Sequence, residues 1–312
     1  MKSIHRLFSG LAIVALLVSL SACGKQAPQP VATQESLPAE TQEPVQPVQT
    51  EQAVQNTLST AFAPPCIEAP YDYAYTAEDK QIVIRRFQAD GVTYFIADVQ
   101  LTDASQLRTA LSGDQPMGKL EPLSVMAERN GAVLAINADD YGVHKYGTII
   151  RNGELLRAHD TTRNMLIVDA SGDFSVRVDR KSENPRQLGQ DLLDQNVWQT
   201  FEFGPELVRD GQAVTFSEDF DVISTKASRR DPRTAIGQLG ALHYMIVVAD
   251  GRQDGYSKGM TLPELQQIFV DYGAKTAMNL DGGGSTELWF QGEIINQPSG
   301  GEERRLSDIL FF

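Results

Sequence analysis

Two apolar runs, YMIVVAD at residues 244–250 and TAMNLD at residues 276–281, flank the segment TLPELQQIFVDYG. The middle segment reads as a helix: Thr261 caps it, Glu264 three residues on completes a capping box, and Gly273 stops it. Strand, helix, strand over residues 241–280 is long enough for a right-handed parallel crossover, which brings the two strand ends to one edge of a sheet. Each end carries an aspartate, Asp250 and Asp281. Open sheets of this kind commonly hold ligands at that edge.

Other segments predict antiparallel neighbours. KQIVIRRF and VTYFIADVQL alternate as strands around a turn at Ala89, Asp90 and Gly91, and Asn152-Gly153 in GTIIRNGELL is the strongest hairpin signal. NMLIVDASGDFSVRV predicts a hairpin turning at residues 170–173, and ELWFQGEII another around Gln291 and Gly292. PLSVMAERNG fits a short helix stopped at Gly131, AVLAIN a buried strand ending at Asn137, and LGQDLLDQNVWQTFEF a helix followed by a strand. The expected class is α+β, a single domain with a large mixed, mostly antiparallel sheet flanked by helices.

That domain is expected over residues 61–312. Residues 1–22 pair Lys2 and Arg6 with the apolar run GLAIVALLVSLSA, too short for a typical membrane span and suited to a secretory signal. They end in LSAC, which resembles the lipobox of bacterial lipoproteins and marks Cys23 for lipidation. Acylation there predicts an exported protein anchored to the cell envelope. Residues 24–60, rich in Gln, Pro, Glu and Thr, read as a disordered tether. Cys66 then has no disulfide partner. The chain carries 27 Lys and Arg against 41 Asp and Glu, a formal charge of −14, which repels nucleic acid. An anionic ligand must be held by local arginines.

NLDGGGSTELWF, residues 279–290, sets Asp281 and three glycines between apolar runs. Glycines permit positive φ or a close backbone approach, and such a turn can gather N–H groups into a nest for phosphate or a sugar hydroxyl. No Gly-Lys-Ser/Thr follows, so this is not a Walker loop. DPRTAIG supplies Arg233, whose planar fork matches phosphate oxygens, and ADGR adds Arg252 beside Asp250. Arg229 and Arg230 read as solvated charges.

The ordered set NADDYG, DPRTAIG, VVADGR, SKGMTLPEL, MNLDGGGST and GEERRLSD resembles the phosphodiester glycosidase family over about residues 132–312. The resemblance implies hydrolysis at the anomeric carbon of a sugar 1-phosphodiester, with N-acetylglucosamine as the leading sugar, giving a free sugar and a phosphomonoester. It implies catalytic Asp281 or Asp250, and substrate contacts from Asn137, Arg233, Arg252, Asn279, Gly282, Gly283, Gly284, Ser285 and Arg304. The family commonly has Asn-Gly-Gly-Phe-Phe where this chain reads Asn137, Ala138, Asp139, Asp140, Tyr141, so the rim of the sugar pocket is expected to differ.

A phosphomonoester leaves readily, so arginines stabilising its charge suffice, and one carboxylate must activate water or attack the sugar. No His follows Ser285 in the chain and no GxSxG elbow exists, so Ser285 is read as a hydrogen-bonding residue. His144 and His159 read as surface or hairpin residues, His243 as a satisfied interior one, and Glu287 faces either the site or solvent. Asp139, Asp140, Asp250 and Asp281 offer hard oxygens compatible with a structural calcium, and no catalytic metal or other cofactor is required. Competing functions are a phosphodiesterase or phosphatase cutting P–O and a non-catalytic module binding anionic envelope glycan. The partner is thus a phosphorylated glycan or sugar 1-phosphodiester, with the membrane contacted through the lipid anchor. Oligomeric state is open.

Overall fold

The computed structural model describes residues 62–178, 184–216 and 227–312. The signal segment, Cys23, the tether and part of the polar stretch after residue 216 lie outside them. The described residues form an α+β domain.

Its frame is an eight-stranded sheet in the order Tyr73–Thr76, Lys80–Ala89, Val92–Leu101, His243–Ala249, Arg233–Gly240, Thr276–Asn279, Glu206–Arg209, Gln212–Ala213. Neighbouring strands pair antiparallel throughout. The parallel relation anticipated between the 244–250 and 276–281 runs exists at one remove, because Arg233–Gly240 lies between them and pairs antiparallel with both. The first long hairpin turns on Asp90 and Gly91, at φ 50° and 71°.

A five-stranded sheet packs against one face of this frame, in the order Glu293–Ile294, Leu288–Phe290, Leu134–Asn137, Asp308–Phe311, Arg108–Leu111. One core joins the two: Ile82, Ile84, Phe95, Ile246 and Val248 of the large sheet cluster with Leu134, Ile136, Leu288, Phe290 and Leu310 of the small one. Helix α3, Leu262–Asp271, covers the opposite face of the large sheet with Leu262, Leu265 and Phe269. Thr261 and Glu264 form the anticipated capping box. Helix α1, Leu123–Arg129, covers the outer face of the small sheet. Apolar faces are thus buried on both sides of each sheet, the condition that layered folds satisfy.

The Asn152-Gly153 and 170–173 turns form as predicted, the latter within a three-stranded sheet that also includes Gln199–Phe203. Helix α2, Pro185–Asp194, begins at the Asn184 cap, whose side chain accepts from the N–H groups of Arg186 and Gln187. His243 Nε2 lies 2.7 Å from the Asp98 carboxylate, which also accepts the Cys66 N–H at 2.7 Å. The histidine is satisfied, as its sequence context suggested.

Candidate active site

The start of Arg233–Gly240 and the ends of its two neighbours, His243–Ala249 and Thr276–Asn279, meet at one edge of the large sheet. A cavity of about 190 Å³ opens there. Arg229, Asp231, Arg233, Arg252, Asn279, Asp281, the three glycines 282–284 and Arg304 line it, with Phe203, Gly204, Pro205 and Leu262 as the less polar wall.

Asp231 organises the cationic side. Its carboxylate, 3% exposed, receives Arg252 Nε and Nη2 on Oδ1 at 3.0 and 2.9 Å. Arg229 Nε stands 3.1 Å from Oδ2, and Arg233 Nη2 is 3.9 Å from the same oxygen. One carboxylate therefore gathers three guanidinium groups and leaves a positive excess facing the cavity. Arg233 is buried and further fixed by donating to the carbonyls of Met260 and Arg229 at 3.1 and 2.9 Å. Burial pushes its pKa down to about 10, opposed by Asp231 and reinforced by the charges of Arg229 and Arg252, so it stays charged at neutral pH. Arg229, which the sequence suggests is a solvated charge, is half exposed and also lines the cavity, together with Asp231, which the sequence analysis does not single out. The signal was present in SRRDPR, where a single acid stands among arginines. Arg230, by contrast, is spent on Glu264 and the carbonyl of Gly259.

Asp281 supplies the carboxylate opposite. Its Oδ1 accepts the N–H of Gly282 at 2.8 Å, and the Ser285 hydroxyl bonds to it as well. Enclosure by protein is the main cause that raises its pKa to about 6; the charge of Asp140 adds, whereas Ser285, the Gly282 N–H and Arg304 oppose the rise. Asn137 stands behind it. Its amide donates to the Asp281 carbonyl at 2.6 Å, and its oxygen accepts from the Thr234 hydroxyl at 2.7 Å and the Glu287 N–H at 3.2 Å. Asn137, which ends a strand of the small sheet, thus ties that sheet to the large one directly beneath Asp281 and does not itself line the cavity.

Most N–H groups of the anticipated nest are taken up within the protein. The N–H groups of Gly282, Gly283, Ser285 and Thr286 go to Asp281 Oδ1 and to the carbonyls of Pro232, Gly282 and Gly283. What the missing Cβ atoms provide is room. A Cβ on Gly282 would stand 2.8 Å from the Pro232 carbonyl oxygen, one on Gly283 3.0 Å from Arg252 Nη2, and one on Gly284 3.2 Å from Arg304 Nη1. Gly283 also holds φ at +60°, in the left-handed region that glycine adopts without penalty.

Asp250 does not line the cavity. Its carboxylate, 1% exposed, accepts from the Asn296 amide, the Gln297 N–H and the Tyr256 hydroxyl. Burial raises its pKa against those donors. Arg252 is paired with Asp231 and not with Asp250. Ser285 is likewise buried, between Asp281 and Arg304. Asn279 reaches the cavity while its amide donates to the carbonyls of Gly204 and Leu280. Glu287 is fully buried rather than solvent-facing.

The acidic departure at residues 139–140 is absorbed by buried arginines. Arg151 bridges Asp139 and Asp308 at 2.9 and 2.8 Å, and Arg163 grips both oxygens of Asp140 at 2.5 and 3.1 Å. His144 also pairs with Asp140, at 3.2 Å, and stacks on Tyr146. His159 Nδ1 lies 2.7 Å from the Lys145 carbonyl oxygen. Among the described residues no group of three or more His, Cys, Asp or Glu stands arranged to hold a metal.

The phosphodiester glycosidase family model matches residues 130–312, and the chain belongs to that family. An uncharacterized SPbeta prophage-derived protein of Bacillus subtilis strain 168, YomE, is 30% identical over 200 residues, covering 61% of this chain and 29% of that protein. The chain therefore spans under a third of that relative's length. Among solved structures, the catalytic domain of zebrafish N-acetylglucosamine-1-phosphodiester alpha-N-acetylglucosaminidase, auto-inhibited by its pro-peptide, superposes with a TM-score of 0.56 at 19% identity, covering 78% of this chain and 86% of that one. A hypothetical protein from Synechocystis gives 0.52 at 16% identity, over 78% and 64%. Both share the fold.

Proposed function

We propose that the chain hydrolyses the anomeric C–O bond of a sugar 1-phosphodiester, with N-acetylglucosamine as the leading sugar. Membership of the phosphodiester glycosidase family supports a hydrolase, and the observation that carries the finer reading is one cavity in which Asp281 faces four arginines, three of them gathered by Asp231. Arg229, Arg233, Arg252 and Arg304 bind the phosphate and stabilise charge that grows on it as the C–O bond breaks. Asp281 provides the base for an attacking water, or attacks the anomeric carbon itself. Water's hydroxyl ends on the sugar, and the phosphate departs as a monoester. Asn137, Ser285 and the Gly282 N–H hold Asp281 in place.

The same proposal puts the enzyme outside the cytoplasm, exported by its signal segment and anchored through acylated Cys23, where envelope glycans supply phosphodiesters. Fatty-acid labelling of the full chain that vanishes in Cys23→Ser checks the anchor.

The function is tested by incubating the purified chain with a panel of sugar 1-phosphodiesters and following free sugar. Turnover of at least one member, reduced by about a hundredfold or more in Asp281→Asn, is expected. An Asp281→Asn variant as active as the unaltered chain would remove Asp281 from the mechanism.

A further inference from the structure

Three carboxylates that line no part of the cavity fasten one loop, two from outside it and one from within. Residues 296–304 leave the strand Glu293–Ile294 and deliver Arg304 to the cavity just before the short strand Arg305–Leu306. At the start of the loop, Asp250 accepts the Asn296 amide at 2.8 Å and the Gln297 N–H at 3.1 Å. Asn296 is locked in turn, accepting from the Leu288 N–H and donating to the Thr286 carbonyl. Gln253, next to Arg252, donates to the Gln297 carbonyl at 2.8 Å.

At the far end, Glu287 Oε1 accepts the N–H of Arg304 itself at 2.5 Å. The neighbouring Glu303 accepts from both the N–H and the hydroxyl of Ser124, at 2.9 and 2.8 Å, where α1 begins. Among the described residues, the Arg304 guanidinium makes a single hydrogen bond, the long one of 3.4 Å from Nη1 to Ser285 Oγ. Its place is therefore set by its backbone rather than by its own side-chain contacts.

Two of the three carboxylates are fully buried, an arrangement that is costly in desolvation. Burial raises the pKa of Asp250, and pushes that of Glu287 up to about 8 against the Arg304 N–H that it accepts. Among the described residues, Glu287 Oε2 has no hydrogen-bond partner. Neutral amides would close such a loop without burying acids.

We propose that Asp250, Glu287 and Glu303 are positioning residues that clamp residues 296–304 at both ends so that Arg304 meets the phosphate of the substrate. This rests on the anion-binding reading of the cavity. It also gives Asp250 a task that suits its distance from the cavity wall.

The test measures affinity of the full chain for inorganic phosphate by calorimetry, with Arg304→Gln as reference. Glu303→Ala, at a half-buried contact on the surface, and Glu287→Leu are each expected to weaken phosphate binding about tenfold, the scale of one lost hydrogen bond. Combined with Arg304→Gln, neither should weaken it further, because each acts through that arginine. Glu287→Gln, which keeps an acceptor oxygen for the Arg304 N–H, is expected to restore affinity to within about twofold of the unaltered chain. Losses that add in the double variants, or single variants that bind like the unaltered chain, would overturn the positioning role. If Glu287→Leu does not fold, the Glu303→Ala cycle decides alone. An unaltered chain that binds no phosphate would instead overturn the anion site, and the proposal with it.

Discussion

A carboxyl group enclosed by protein gives up its proton reluctantly, and Asp281 illustrates both consequences. With its pKa raised to about 6, it is a carboxylate over most of the neutral range and a carboxylic acid below it. A base or nucleophile acts only when ionised, so turnover should rise as pH increases through about 6 and fall away below it. A pH–rate profile of kcat/KM checks this, and an activity that is flat from pH 5 to 8 would contradict it. The linkage to stability has the opposite sense. A folded-state pKa above the unfolded one means that the proton stabilises the fold, fully below the ordinary carboxylate range, and that this stabilisation disappears as pH rises through about 6. Asp281→Asn removes the buried charge and keeps an acceptor for the Gly282 N–H. It should therefore melt higher than the unaltered chain at pH 7.5 while losing turnover, and scanning calorimetry measures the difference.

At the scale of elements, the glycine turn after Thr276–Asn279 shows how close packing replaces local contacts. Gly283→Ala would force a side chain into positive φ and against Arg252, which predicts a loss of about 1–2 kcal/mol in denaturant unfolding together with weaker phosphate binding. The hairpin turns and α3 were legible in the sequence because each depends on adjacent residues: Asp90 and Gly91, Asn152 and Gly153, Thr261 and Glu264. The central strand Arg233–Gly240 was legible only as a run heading into the core. Its Gly237 and Gln238 interrupt an apolar run, and the cause at Gly237 lies far away in sequence. A Cβ at Gly237 would stand 2.8 Å from the Phe269 ring of α3. The interposed position of this strand, which separates the two parallel runs, is a long-range fact of the same kind. In the site, Arg233, Arg252 and Asp281 were recoverable from residue type and motif context, and Arg304 only through the family resemblance. The removal of Asp250 from the cavity wall was not, because hydrogen-bond partners such as Asn296, 46 residues away, decide it.

For the whole molecule, the acidic chain and the cationic cavity belong together. A formal charge of −14 disfavours generic polyanions, whereas a few arginines collected by Asp231 make one cavity locally cationic, as the proposed phosphate binding requires. Two sheets meeting at Asn137 hold that cavity against Asp281, the carboxylate proposed to do the chemistry. The central claim is that the anomeric carbon, and not phosphorus, is attacked. Hydrolysis of a sugar 1-phosphodiester in oxygen-18 water, followed by mass spectrometry of both products, tests it most directly. The account predicts the label in the released sugar and none in the phosphomonoester, whereas label in the phosphate would contradict it and assign the cavity to P–O cleavage.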